Sequence, residues 1–211
     1  MTKEEWYKQL FEHLEASKFR SSFHLKQKDL DYINEKDLDA SDVMIGSRIG
    51  TVNSSVEECT PMYREIEKET GVTCYFRIMK YSTWASWVNS EWQSRDDLIF
   101  NDIQASGECE YGAALNLLES ELERHKNDNA YWIILNIACG TPTDNWKPII
   151  RKLKQLNQFH QSLRIVMNIE SQFPVDITKQ FTGNIENVLL AKETRKMKEL
   201  IVDGIYHYFG E

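Results

Sequence analysis

The chain has 211 residues, enough for one substantial hydrophobic core or one core with a small appendage. Apolar residues make up 41% and aromatic residues 11%, which excludes a disordered chain. With 33 acidic and 25 basic residues the formal charge is −8, which disfavours general binding to a phosphate backbone.

No stretch is apolar for long enough to span a bilayer, and Met1-Thr2-Lys3-Glu4-Glu5-Trp6 is charged and amphipathic, unlike a secretory signal. A cytoplasmic protein with no membrane or nucleic-acid partner is expected. Cys59, Cys74, Cys109 and Cys139 are widely spaced, without a Cys-x-x-Cys pair. That excludes a zinc ribbon and fits reduced thiols better than a disulfide framework.

In chain order, Trp6, Leu10, Phe11 and Leu14 stripe a helix over residues 3–18. A second short helix is predicted over 27–36, with Leu30, Tyr32 and Ile33 facing inward, and 37–42 reads as a charged connector. Residues 1–40 are thus expected to form a helical N-terminal extension and 41–211 an α/β domain. Val43-Met44-Ile45-Gly46 is the expected first strand, followed by strands over 72–80, 131–138, 163–169 and 187–190. Between Tyr81 and the 131–138 strand, Trp84, Trp87 and Trp92 suggest a hairpin with an antiparallel edge strand. Packing that shields the sheet edge is the favoured role for them, ahead of an exposed binding patch.

Helical spacing joins Ala114, Leu115, Leu118 and Leu122, and again Ile149, Ile150, Leu153 and Leu156. Pro148 suits the start of the latter helix, with Asp144 or Asn145 as its cap. Met197, Leu200, Ile201 and Ile205 stripe a C-terminal helix. The basic runs Lys147, Arg151, Lys152, Lys154 and Lys192, Arg195, Lys196, Lys198 read as solvated helix faces. Strands alternating with helices imply a Rossmann-like, doubly wound, mostly parallel sheet.

Two segments carry a resemblance. Ala105-Ser106-Gly107-Glu108-Cys109-Glu110-Tyr111-Gly112-Ala113-Ala114-Leu115 resembles the Ser-Gly-Gly-Thr…Gly-x-Ala-Leu loop and helix of von Willebrand factor A (VWA) domains. Gly140-Thr141-Pro142-Thr143-Asp144-Asn145-Trp146, directly after an apolar strand, is similar to the Asp-Gly-x-Pro-Thr-Asp-x-Trp turn of the bacterial tellurite-resistance TerY-like branch. The similarity spans residues 43–209. It implies strand order 3-2-1-4-5-6, a crevice between the first and fourth strands, and a role in protein binding with a link to stress response. A shorter stretch, from Phe19-Arg20-Ser21-Ser22-Phe23-His24-Leu25 to Lys36, resembles the opening of a small bacterial family of unknown function. There the glycine expected next is Asp37, and the family's cysteine-rich part is absent.

The VWA metal-ion-dependent adhesion site uses Asp-x-Ser-x-Ser after the first strand, a Thr in the next loop and an Asp after the fourth strand, oxygen ligands suited to Mg²⁺. The expected counterparts here are Ser47-Arg48-Ile49-Gly50-Thr51, then Cys109, then Cys139, which leaves no ligand carboxylate. The resemblance therefore implies a degenerate site without metal or other cofactor. Ser47, Thr51, Ser106, Cys109, Cys139 and Asp144 would line a partner-binding crevice, reached through the 47–53, 105–110 and 139–146 loops. The alternative is an enzyme or a small-ligand or soft-metal binder built on Cys109 and Cys139, since thiolates favour Zn²⁺ or Cu(I). Inert, packed thiols are the simpler account. The five histidines show no ligand spacing, and no Gly-x-Ser-x-Gly, Walker or Gly-x-Gly-x-x-Gly motif occurs. A non-catalytic protein-interaction module is expected.

Overall fold

A computed structural model describes residues 31–190 and 193–209. The extension helix expected over 3–18 lies outside them. The unit that holds the sheet runs Asp31–Glu211. Its strands are β1 (Asp31–Asp39), β2 (Thr73–Tyr81), β3 (Ala85–Trp87), β4 (Gln93–Ser94), β5 (Ala130–Ala138), β6 (Leu163–Asn168) and β7 (Val188–Leu190). Its helices are α1 (Ser47–Thr70), α2 (Tyr111–Arg124), α3 (Lys147–Leu153), α4 (Asn157–Gln161), α5 (Val175–Thr182) and α6 (Thr194–Phe209). The sheet order is β3-β2-β1-β5-β6-β7, with β4 also on β2. Only β3 and β4 run antiparallel to their neighbour. With β3 and β4, successive pieces of one interrupted edge strand on β2, counted as one, this is the 3-2-1-4-5-6 order of a VWA-like, Rossmann-type sheet.

β5 is apolar along nearly its whole length and every one of its residues is buried, because helices cover both faces of the sheet. On one face, α1 and α6 pack Val56, Tyr63, Ile66, Met197 and Ile201 against Phe76 and Leu135. On the other, α2, α3 and α5 bring Tyr111, Leu118, Ile150 and Phe181 against Trp132 and Ile134. α1 tolerates Pro61 in its interior. The lost backbone bond costs roughly 3 kcal/mol, and the buried stripe of Val52, Val56, Cys59, Tyr63 and Ile66 offsets it. Among the described residues no helix is long and apolar enough to cross a membrane.

The start of the sheet is where the sequence misleads. Residues 31–36 are not helical and 37–39 are not a connector: both belong to β1, paired in parallel with β2 from Asp31↔Thr73 to Asp39↔Tyr81 and with β5 from Asp31↔Ala130 to Leu38↔Ile137. Val43–Gly46, the expected first strand, lies in and beyond a short 3-10 turn (Asp42–Met44). Residues 47–53, expected as a loop, are the first turns of α1. β1 reads Asp-Tyr-Ile-Asn-Glu-Lys-Asp-Leu-Asp, too polar to announce a central strand. Hydrogen-bonding partners on both sides override that local pattern.

The hairpin edge divides the three tryptophans. Trp87 stacks under the Arg77 guanidinium, 4.0 Å from the ring centroid, and the Trp92 indole N–H donates to Glu121 at 2.9 Å. Glu121, itself buried, also pairs with buried Arg77. Asn89 extends the ladder by accepting from the Ile78 amide at 2.7 Å and donating to the Phe76 carbonyl at 3.2 Å. Trp84 alone stays exposed, at 68%.

Lys36 lies in the core on the α1 side of β1, 1% exposed. Its ammonium site has no hydrogen-bond partner and sits 5.1 Å over the Tyr63 ring and 5.4 Å over the Phe76 ring. Burial holds its pKa below the ordinary value of 10.5. The unfolded chain then binds the proton more readily than the folded one, so stability falls as pH drops from about 10 through the lowered folded value. Lys36→Met keeps the volume without the amine. Urea denaturation should show it more stable than the wild type at pH 7 by about 1–3 kcal/mol, with a flatter profile between pH 7 and 10.

Candidate functional site

The doubly wound order places its topological switch point at the C-terminal ends of β1 and β5, where the chain leaves toward opposite faces. There Asp39, the last residue of β1, is fully buried. One carboxylate oxygen accepts from the Ser41 amide at 3.0 Å and the Ser41 hydroxyl at 2.7 Å. The other accepts from the amides of Cys139 at 3.3 Å and Gly140 at 3.2 Å, with the Cys109 sulfur 3.9 Å away. One carboxylate thus ties the loop after β1 to the loop after β5.

Asp39-Ala40-Ser41-Asp42-Val43, not Ser47–Thr51, follows the first strand, so the Asp-x-Ser pattern survives where the sequence reading had no carboxylate. The missed signal was an Asp-x-Ser directly after Leu38, hidden by the misplaced strand. Val43 occupies the last position of the pattern with an apolar side chain. Its Cγ2 atom would lie 2.6 Å from a Cβ added at Gly140, and the Cys109 sulfur 3.4 Å from it. The loops after β1 and β5 approach so closely that only glycine fits there.

The structure brings Cys109 and Cys139 to the Asp39 carboxylate, and both are buried. Burial pushes both thiols up; the Asp39 charge adds to this at Cys109, while the Arg48 charge offsets it in part at Cys139. Asp144 stands beside them. It caps α2 rather than its own helix, accepting from the Ala113 amide at 3.1 Å. Neither Asp144 nor Asn145 caps α3, whose N-cap is Trp146 without a side-chain bond. The other Asp144 oxygen is buried without a hydrogen-bond partner.

Ser47 and Thr51 lie at the start of α1, and Ser106 meets the loop after β1 through its backbone. The Thr51 hydroxyl donates back to the Ser47 carbonyl at 3.0 Å along α1, and exposed Ser106 contributes its amide, at 2.7 Å from the Ala40 carbonyl. Two residues unforeseen from sequence pair at this edge. Arg48 donates to the Val43 carbonyl at 2.7 Å and to Glu170 at 2.8 Å. Glu170 holds a left-handed backbone, φ 53°, uncommon for a side chain of its size. Among the described residues no three of His, Cys, Asp or Glu are grouped to hold a metal ion.

This fold is that of a VWA domain. No family model and no curated protein matches the sequence. Similar solved structures include a von Willebrand factor type A protein from Catenulispora acidiphila (TM-score 0.60, 8% identity, 83% of this chain and 42% of that one). Another is proximal thread matrix protein 1 from the mussel byssus with a zinc-occupied adhesion-site motif (TM-score 0.57, 12% identity, 85% and 45%). A third is the manganese-loaded TRAP protein of Plasmodium vivax (TM-score 0.54, 15% identity, 83% and 73%). The chain thus spans less than half the length of the first two.

Two outcomes test this geometry. Asp39→Ala removes the acceptor of three buried amides and should lower stability by about 3 kcal/mol or more in urea denaturation. Because its thiol is raised and enclosed, Cys109 should alkylate at neutral pH no faster than Cys74 in β2, as read by mass spectrometry.

Proposed function

We propose that the chain is a non-catalytic protein-interaction module whose contact surface is the C-terminal edge of the sheet, and in which the divalent-metal site of VWA domains has been lost. The observation that carries this is the state of Asp39: its carboxylate is sealed from solvent and already accepts four hydrogen bonds from Ser41, Cys139 and Gly140. A divalent cation demands hard oxygen ligands and keeps several waters. The residues present do not fit it. Val43 offers carbon, Cys109 and Cys139 offer enclosed thiols, the Asp39 oxygens are already hydrogen-bonded, and one Asp144 oxygen has no hydrogen-bond partner among the described residues.

The raised thiols speak against a redox reading of Cys109 and Cys139, since the thiolate is the nucleophile. Exposed apolar residues favour a contact surface. Val43, Ile45 and Trp84 follow the C-terminal ends of β1 and β2, and Val175 and Leu190 lie at those of β6 and β7. The Pro142-Thr143-Asp144-Asn145-Trp146 turn supports a place in the tellurite-resistance-like branch, and so a cytoplasmic, stress-related setting. The step from fold to protein binding is by analogy with VWA domains.

Titration with Mg²⁺, Mn²⁺ or Zn²⁺ should leave Tm unchanged. A cation binding only the native state at ~100 times its Kd would add about 2.7 kcal/mol, so a saturable rise in Tm overturns the loss of the site. Affinity capture from the native host should return the same partner in EDTA as in Mg²⁺; capture that requires the metal overturns the proposal.

A further inference from the structure

We infer that the corner of this edge formed by the loops after β1 and β2 and by residues 105–110 docks a segment of a partner protein that presents an aliphatic or aromatic side chain flanked by lysine or arginine. The inference rests on the metal-free contact surface proposed above and adds the chemistry of what it takes.

The corner is apolar and prebuilt. Val43, Ile45 and Trp84 are 41%, 64% and 68% exposed. The backbone beneath them is cross-tied: the Asp42 amide donates to the Gly107 carbonyl at 2.7 Å and the Gly107 amide to the Asp42 carboxylate at 2.8 Å. The Glu108 amide donates to the Thr83 hydroxyl at 3.1 Å and the Glu110 amide to the Ser82 carbonyl at 3.0 Å. Gly107, at φ 82°, has no room for a side chain against Thr83. A platform fixed in this way loses little entropy when a partner settles on it, and an exposed tryptophan is the residue type that most often anchors an interface.

Charge selects the partner. Residues 40–46, 82–84 and 105–110 contain Asp42, Glu108 and Glu110 and no Lys, Arg or His. Asp42 and Glu108 are exposed, Glu110 is half-buried, and none of the three forms an ion pair with a described residue. The nearby base Arg48 is engaged with Glu170. Three unneutralised carboxylates repel an acidic ligand, and with no cation to bridge it such a ligand has nothing to hold. A lysine or arginine gains their attraction and can also lie over the Trp84 ring.

A random-peptide display library selected on the immobilised intact chain in EDTA tests this, with the exposed-site variant Trp84→Ala as the comparison. Enriched peptides should carry net positive charge around an aliphatic or aromatic residue. Their affinity should fall about tenfold or more on Trp84→Ala and weaken with added salt. Acidic or uncharged peptides, binding indifferent to Trp84→Ala, no enrichment at all, or a dimer of this chain that Trp84→Ala dissolves would each overturn the inference. Peptides that bind in EDTA but ignore Trp84 would leave the interaction module standing. A parallel selection in Mg²⁺ that alone enriches peptides would bring down the metal-free reading of this surface.

Discussion

The Asp39 carboxylate accepts hydrogen bonds from backbone as far as 101 residues away in sequence, and the arrangement of the upper edge follows from it. It sits where the central strand ends, so it fixes how the chain turns away from β1 and how closely the loop after β5 can approach. Gly140 and Val43 then meet in contact, and Cys109 is enclosed between the two loops. A buried carboxylate is tolerable only with its lone pairs filled. Here they are filled from within the chain.

That self-sufficiency is what supports the proposed loss of the divalent-metal site. The Asp-x-Ser pattern remains at the end of β1, yet its oxygen atoms are committed to backbone amides and a neighbouring hydroxyl. The positions that would complete a ligand set carry a valine and two thiols. Asp39 and Ser41 hold the loops in place, and Val43 and Cys109 pack against Gly140 between them.

Buried polarity recurs elsewhere in the sheet. Arg77 and Glu121 neutralise each other under the hairpin, with Trp92 and Trp87 completing their surroundings. Lys36 lies over the Tyr63 and Phe76 rings, with the Cys59 thiol also near it. Pairing offsets the burial of Arg77 and Glu121 even though Arg77 Nε has no hydrogen-bond partner among the described residues, whereas the Lys36 amine is a cost that the surrounding core must offset.

Local patterns sufficed wherever an element's own side chains reveal its burial. The continuous apolar run of β5, the stripes of α2 and α6, the alternation of strands with helices and the Gly140–Trp146 turn all gave the doubly wound class from sequence alone. β1 was illegible, because a polar strand is recognised only by the two strands that pair with it, and these come from distant parts of the chain. With β1 misplaced, Asp39 and Ser41 were missed and Ser47 and Thr51 stood in for them. Asp144 caps a helix other than its own, Trp84 is separated from Trp87 and Trp92 by the course of the hairpin, and Arg48 reaches Glu170 across 122 residues. Each of these depends on which loops the parallel crossovers bring together, and a periodicity read along one segment carries no record of that.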